Sequence, residues 1–193
     1  MRQVMTACSD VDEARIGREA SPWWQSLNGK WQLKLWSSPD AVPNTAIKKD
    51  LASTAGWLTV AVPGNWTVQE TGDLPHYTNV QMPWPLRPPE TPAENTTGVY
   101  RRTFMVPKNW KSRRTIIHIG AAESVHAVFV NGVFVGYGTD SRLPSEYDIT
   151  DYLQAGKNTL AIFVPRYSAQ SYLEDQDQWW MAGLHREVFL ESR

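Results

Sequence analysis

The sequence predicts an all-β fold, an antiparallel β-sandwich of the jelly-roll kind. Three observations predict it: about eight short runs of strand-forming residues, few helix signals, and frequent turn residues between the runs. With 193 residues, the chain is long enough for one domain with a sizeable core. The charges of residues 1–20 show no clear periodicity, so we expect a flexible N-terminal arm or weak helix there, and the sandwich in residues 21–193.

The predicted strands follow one another with recognisable ends. Residues 29–36 alternate apolar and polar side chains, which is the period of a half-buried strand. The pair Asn131-Gly132 separates two β-rich runs and tolerates the positive φ angles of a type I′ turn, so it predicts a two-residue hairpin. A helical turn is expected at 151–155, closed by Gly156. The other predicted strands are 58–62, 100–106, 115–119, 125–130, 133–137, 158–164 and 187–190.

Composition argues against several classes of function. The formal net charge is −1, so no overall field attracts nucleic acid or an anionic membrane, and we expect neither as a partner. Cys8 is the only cysteine, which excludes an internal disulfide and a thiolate metal cluster. No apolar run approaches the ~20 residues of a membrane helix, and the first twenty residues have no signal-type apolar stretch. We therefore expect a cytoplasmic location.

The loop at 171–183 combines acids with tryptophans. Glu174, Asp175 and Asp177 lie within four positions and are followed by two tryptophans. Carboxylates accept hydrogen bonds from sugar hydroxyls and bind hard cations, and indole faces stack on sugar rings. The alternative is a solvated acidic loop whose side chains cap local turns. Adjacent acids on one loop are poor evidence for a catalytic pair, because retaining glycosidases hold theirs about 5 Å apart across a cleft.

A second long connection is rich in proline. Between residues 77 and 89 the prolines interleave with Met82, Trp84 and Leu86, which favours a packed loop at the rim of the domain. A polyproline ligand for another module is the alternative. Asn79 is the best polar contact candidate, since its amide offers a donor and an acceptor.

Other polar residues have structural interpretations. We expect Arg142 to form a structural ion pair with Asp140 or Glu146. The histidines show no metal-binding spacing, and His118 and His126 are expected to be structural or solvent-facing.

Several stretches together resemble the N-terminal sugar-binding domain of family 2 glycoside hydrolases, specifically the β-galactosidase branch. The resemblance covers roughly residues 21–193. The stretches that carry it are Ser26-Leu-Asn-Gly-Lys-Trp31, Val62-Pro-Gly-Asn-Trp66, Tyr77-Thr-Asn-Val80, Thr97-Gly-Val-Tyr100, Val130-Asn-Gly132, Gly136-Tyr-Gly-Thr-Asp-Ser-Arg-Leu-Pro-Ser-Glu-Tyr-Asp148 and Tyr172-Leu-Glu-Asp-Gln-Asp-Gln-Trp179.

This resemblance implies a galactose-binding-domain-like jelly roll followed by an immunoglobulin-like domain and a catalytic barrel. It implies that both catalytic glutamates and a magnesium site belong to the barrel, beyond this chain. By position, Asn79 and Asp177 match sugar-contacting residues, and Asp177 also matches a sodium ligand shared with the catalytic domain.

The implied function is substrate binding in a retaining β-galactosidase that is a homo-oligomer, with β-galactosides and the remaining domains as partners. The alternatives are a free-standing carbohydrate-binding module or lectin-like domain, and a purely structural domain.

Overall fold

Two antiparallel sheets contain most of the strands. The computed structural model describes residues 6–48, 50, 54–85 and 87–193. Residues 1–5 of the predicted arm and Leu86 of the proline-rich connection lie outside this part. The strands are β1 Trp24–Ser26, β2 Gly29–Trp36, β3 Leu58–Val62, β4 Gly64–Asn65, β5 His76–Tyr77, β6 Thr97–Met105, β7 Thr115–Ile119, β8 Val125–Val130, β9 Val133–Thr139, β10 Ser145–Asp148, β11 Lys157–Pro165, β12 Trp179–Trp180, β13 Gly183–Leu184 and β14 Val188–Ser192.

One sheet has the strand order β1-β14-β7-β10, and the other has β3-β2-β6-β11-β8-β9. Two short pairs, β12 with β5 and β13 with β4, join the long connections.

The predicted all-β antiparallel sandwich is therefore confirmed. Four predicted strands, β2, β3, β7 and β8, have the bounds that their residue patterns predict. Six strands were not predicted, namely β1, β4, β5, β10, β12 and β13. Each has only two to four residues, too few for an alternation of side chains to be recognised.

The β8–β9 hairpin turns at the predicted dipeptide. Asn131 has φ 53° and Gly132 has φ 82°, so both central residues have the positive φ of a type I′ turn. The predicted helical turn is a 3₁₀ helix. The 3₁₀ helices are Arg18–Ala20, Pro39–Ala41, Asn44–Ala46, Trp66–Val68, Lys108–Trp110, Thr150–Tyr152 and Ala169–Tyr172.

One α-helix, α1 (Val11–Ile16), lies in the described part of the predicted arm. Asp10 caps its N-terminus by accepting hydrogen bonds from the backbone amides of Asp12 and Glu13. The segment contacts the sandwich through Arg18, which pairs with Glu187 and lies over the Phe189 ring. No helix in the described residues is long and apolar enough to cross a membrane.

The main core lies between the two sheets and is rich in aromatic side chains. Trp31, Trp66 and Tyr100 are fully buried there, and the Tyr100 ring contacts both indole rings. The Trp31 Nε1 donates to the Leu27 carbonyl at 2.8 Å, so the one polar atom of this indole is satisfied. Burial of large apolar side chains is the main stabilising contribution, at roughly 1.5–3 kcal/mol for each. Most tryptophans therefore stabilise the fold, and an exposed tryptophan such as Trp179 becomes a candidate for ligand binding.

Candidate functional site

The two long connections meet through the β5–β12 pair. In this antiparallel pair Tyr77 lies opposite Trp179, and His76 lies opposite Trp180. Because side chains alternate along a strand, Tyr77 and Trp179 point to the exposed face, whereas His76 and Trp180 point inward. The pairing brings the segment that contains Asn79 beside the loop that contains Asp177, although about a hundred residues separate them in the sequence.

The side chains of Asn79 and Asp177 both lie at the hydroxyl group of Tyr77. The hydroxyl of Tyr77 donates a hydrogen bond to Oδ1 of Asp177. This bond is the main reason why the pKa of Tyr77 is raised, because the carboxylate stabilises the protonated phenol. The Asn79 side chain lies beside the same hydroxyl and acts in the opposite direction on this pKa. The structure therefore places the two residues that the sequence singled out at one site, where both are exposed.

An aromatic pair borders this polar group. Tyr77 is 46% exposed and Trp179 is 55% exposed, and their ring centroids are 5.9 Å apart. Large aromatic side chains usually find burial in a core, so two neighbouring half-exposed rings beside polar groups have the composition of a ligand site. Exposed indole faces stack on the apolar faces of sugar rings, and the neighbouring carboxylate and amide bind hydroxyl groups.

A buried aromatic layer supports the paired strands from beneath. The Nε1 of Trp180 donates to Oγ1 of Thr78 at 2.7 Å, and His76 stacks on the Trp180 ring at 6.3 Å. Trp84, from the proline-rich connection, is buried against Tyr167 with ring centroids 4.5 Å apart. The packed-loop interpretation of this connection is confirmed, because its tryptophan is not displayed to a partner as a polyproline ligand requires.

A buried ion pair holds this layer to the sandwich. Arg166 Nη1 lies 2.8 Å from Oδ1 of Asp73, and Arg166 Nη2 donates to the carbonyls of Leu74 and Trp180. The same nitrogen lies 3.0 Å from Nδ1 of His76. Burial and the neighbouring guanidinium lower the pKa of His76, which favours the neutral ring. Since Arg166 can only donate, Nδ1 accepts, and the proton of the ring lies on Nε2.

The three acids of the 171–183 loop have different environments. Oε1 of Glu174 accepts a hydrogen bond from the backbone amide of Ser141 at 2.9 Å, so this acid has a structural role, in a tertiary contact and not in a local turn. Asp175 is half-buried. Asp177 is exposed and faces the Tyr77 hydroxyl. Asp177 is thus the member of the group that is positioned for a ligand.

The expected partners of Arg142 were wrong. Its guanidinium pairs with Glu123 at 3.3 Å, whereas Asp140 accepts from the backbone amide of Arg142. Glu146 instead pairs with Arg193, because β10 lies in the sheet that β14 and the chain end also join. The structural role predicted for this ion pair is retained with a different carboxylate.

His118 and His126 are both buried, as a structural role requires. The His118 ring stacks on the Phe189 ring with centroids 4.2 Å apart. The Nε2 of His126 lies 2.9 Å from the hydroxyl oxygen of Tyr147. Burial lowers the pKa of His126 to about 4, so this ring is neutral under ordinary conditions.

Within the described residues there is no group of three or more His, Cys, Asp or Glu side chains that could hold a metal ion. One carboxylate oxygen of Asp177 is bonded to Tyr77, which leaves the other oxygen for a ligand. A free carboxylate oxygen of this kind can serve as one ligand of a hard cation.

Sequence reasoning did not assign a role to Tyr77, nor to Asp73, His76 and Arg166 beneath it. One signal was available for Tyr77, since it lies two residues before Asn79, and residues at this spacing share one face of a strand. For Asp73 and Arg166 we find no comparable signal, because 93 positions separate the two partners.

Comparison with protein families gives a match over most of the chain. The family model described as "Glycosyl hydrolases family 2, sugar binding domain" matches residues 24–193. The matched region includes both sheets and all the residues of the site.

Curated proteins of similar sequence are β-galactosidases. The chain is 45% identical over 181 residues to a β-galactosidase of Psychromonas ingrahamii and 44% identical over 185 residues to one of Photobacterium profundum. These matches cover 94% and 95% of this chain but 17% and 18% of the two relatives. The chain therefore spans less than a fifth of their length.

Solved structures share the fold. A β-glucuronidase from an uncultured Clostridium sp. superposes with a TM-score of 0.68 at 20% identity, over 97% of this chain and 30% of that chain. A β-glucuronidase of Bacteroides uniformis gives a TM-score of 0.65 at 22% identity, over 88% of this chain and 18% of that chain. At these identities the likeness concerns the fold alone.

Proposed function

This chain belongs to the sugar-binding domain family of the family 2 glycosyl hydrolases, and on this premise we propose that it is the substrate-binding N-terminal domain of a longer β-galactosidase. The observation that carries the proposal is the meeting of Asn79 and Asp177 at the Tyr77 hydroxyl, beside the exposed ring of Trp179. The free-standing module or lectin-like alternative is not favoured, because the relatives that match at 44–45% identity are β-galactosidases.

In this proposal the domain contributes to sugar binding and does not hydrolyse the glycosidic bond. Asp177 accepts a hydrogen bond from a galactose hydroxyl, Asn79 holds a second polar group, and Trp179 offers an apolar face. The acids of the loop do not form a catalytic pair, since Glu174 is bonded to a backbone amide. We assign the two glutamates of a retaining mechanism, and a magnesium ion, to the part of the enzyme beyond this chain.

Sodium is part of the proposal as a shared site. A hard cation prefers oxygen ligands, and the free carboxylate oxygen of Asp177 is a suitable one. The remaining ligands would belong to the catalytic domain.

The proposal also includes assembly of the full-length enzyme as a homo-oligomer. It places the enzyme in a reducing cytoplasm, where a chain with one cysteine needs no disulfide.

The test is Asp177→Ala in the full-length enzyme, with Asp175→Ala as the matched control that removes the same charge two residues away. We expect Asp177→Ala to raise KM for a chromogenic β-galactoside about tenfold or more, since hydrogen bonds to charged groups contribute about 1.5–3 kcal/mol. Sodium activation should weaken in parallel. Asp175→Ala should leave both measurements close to those of the parent enzyme.

Equal effects of the two substitutions would contradict the proposal, because they would indicate a general charge effect. Unchanged KM and sodium dependence in Asp177→Ala would also contradict it, and would reduce the loop to a structural element.

A further inference from the structure

The hydroxyl of Tyr77 connects the two side chains that the proposed function assigns to the sugar. We propose that Tyr77 is a positioning residue, which fixes the orientations of Asn79 and Asp177 and so determines which of their atoms face the ligand. This inference rests on the proposed function of the site. It concerns a residue with no assigned contact to the sugar, acting through its two neighbours.

The hydrogen-bonding capacity of the three groups sets the arrangement. The single hydroxyl hydrogen of Tyr77 is donated to Oδ1 of Asp177, and the Asn79 side chain lies beside the same hydroxyl, where it lowers the pKa of Tyr77. Asp177 therefore keeps Oδ2 available, and the exposed amide of Asn79 offers an acceptor and a donor beside it. The site presents acceptor oxygens and an amide donor side by side, which is a pattern that fits a ligand rich in hydroxyl groups.

Such an arrangement requires a rigid holder, because Asn79 and Asp177 are both exposed. Exposed short side chains exchange rotamers freely, and fixing one on binding costs conformational entropy. Contact with one shared hydroxyl removes part of this cost before the ligand arrives. Tyrosine suits the task, since it has few rotatable bonds for its size.

Tyr77 is itself positioned by strand pairing and by a contact with a second ring. Its backbone pairs with Trp179 in the β5–β12 pair, and the Trp179 ring lies against it with centroids 5.9 Å apart. The next residue, Thr78, accepts a hydrogen bond from buried Trp180, which prevents the segment from turning over. A turned segment would exchange the faces of His76 and Tyr77, because side chains alternate along a strand.

The first measurement uses this chain without substrate. Tyr77→Phe keeps the ring and removes the hydroxyl, and Tyr137→Phe is the matched control, since Tyr137 is 70% exposed on β9. We expect Tyr77→Phe to shift and broaden the NMR signals of the Asn79 side-chain amide and the Asp177 carboxyl carbon, with an unchanged thermal midpoint. Tyr137→Phe should leave both signals in place. Asp177→Ala examines the same network from its other end and should also shift the Asn79 amide.

The second measurement uses the full-length enzyme. Tyr77→Phe should raise KM for a β-galactoside about fivefold and raise the sodium concentration for half-maximal activation, as expected for the loss of one positioning hydrogen bond. Tyr137→Phe should change neither value. A purely structural role would move the thermal midpoint and leave the sodium dependence unchanged.

Two outcomes overturn the inference: unchanged Asn79 and Asp177 signals in Tyr77→Phe, or an unchanged KM in Tyr77→Phe when Asp177→Ala raises it. In the second case the proposed function survives and only the positioning role fails. If Asp177→Ala itself leaves KM unchanged, the proposed function fails and the inference fails with it.

Discussion

At the scale of single residues, the site depends on which polar atoms already have partners. Glu174 and Asp177 are three positions apart, yet one is bonded to a backbone amide and the other to an exposed phenol. By residue type the two acids are equivalent, and in the sequence only the family resemblance distinguishes Asp177. Their difference arises from partners that are far away in the chain, Ser141 for the first and Tyr77 for the second.

The contact between Tyr77 and Asp177 predicts a change in a measurable ionisation. The carboxylate raises the pKa of the Tyr77 phenol because it stabilises the protonated form. Asp177→Asn should therefore lower the pKa of Tyr77, as followed by NMR of labelled tyrosine ring carbons between pH 8 and pH 12. The other tyrosine signals serve as internal controls, and an unchanged Tyr77 titration would show that the two side chains do not interact in solution.

At the scale of elements, the short strand pairs hold the long connections to the sandwich. In the β13–β4 pair, Gly183 lies opposite Asn65 with a φ of +124°. A Cβ atom there would lie 2.6 Å from the hydroxyl oxygen of Tyr100 and 2.9 Å from the backbone nitrogen of Trp66. The end of the 171–183 loop thus approaches the core more closely than any residue with a side chain allows.

Gly183→Ala should consequently destabilise the domain by about 3 kcal/mol, through backbone strain combined with overpacking. Gly156→Ala is the control, since Gly156 also has a positive φ, +82°, but nothing lies within 4 Å of its added Cβ. This control should cost only about 1 kcal/mol. Urea unfolding of both variants gives the comparison, and equal losses would show that the close approach at Gly183 contributes nothing.

At the scale of the whole molecule, buried neutral histidines link stability to pH. Burial lowers the pKa of His126 to about 4, from an ordinary value near 6.5. The unfolded chain therefore binds a proton at His126 more readily than the folded chain does. The resulting stability is fully present above pH 6.5 and is lost as the pH falls from 6.5 through 4.

We expect His126 to contribute a loss of about 3 kcal/mol in the free energy of unfolding between pH 7.5 and pH 4, from the size of its pKa shift. Urea unfolding at several pH values measures this loss. His126→Gln, which cannot take up a proton, should show a shallower decrease over the same interval. Parallel curves for the two proteins would contradict the assignment to His126.

The alternation of residues 29–36, the Asn131-Gly132 turn and the short strand runs made the β-sandwich readable from the chain alone. These signals are local, because side-chain period and turn conformation depend on neighbouring residues. The family and the two site residues could likewise be identified from the motifs around Asn79 and Asp177, since such motifs are contiguous in sequence.

Tertiary structure alone decided the geometry of the site. The pairing of β5 with β12, the hydroxyl of Tyr77 between Asn79 and Asp177, and the Arg166–Asp73 ion pair beneath them all join segments roughly a hundred positions apart. The partner of Arg142 was decided in the same way. Two-residue strands have no period of their own, and a buried charge takes whichever partner the packed core brings within reach, so neither could be read from the sequence.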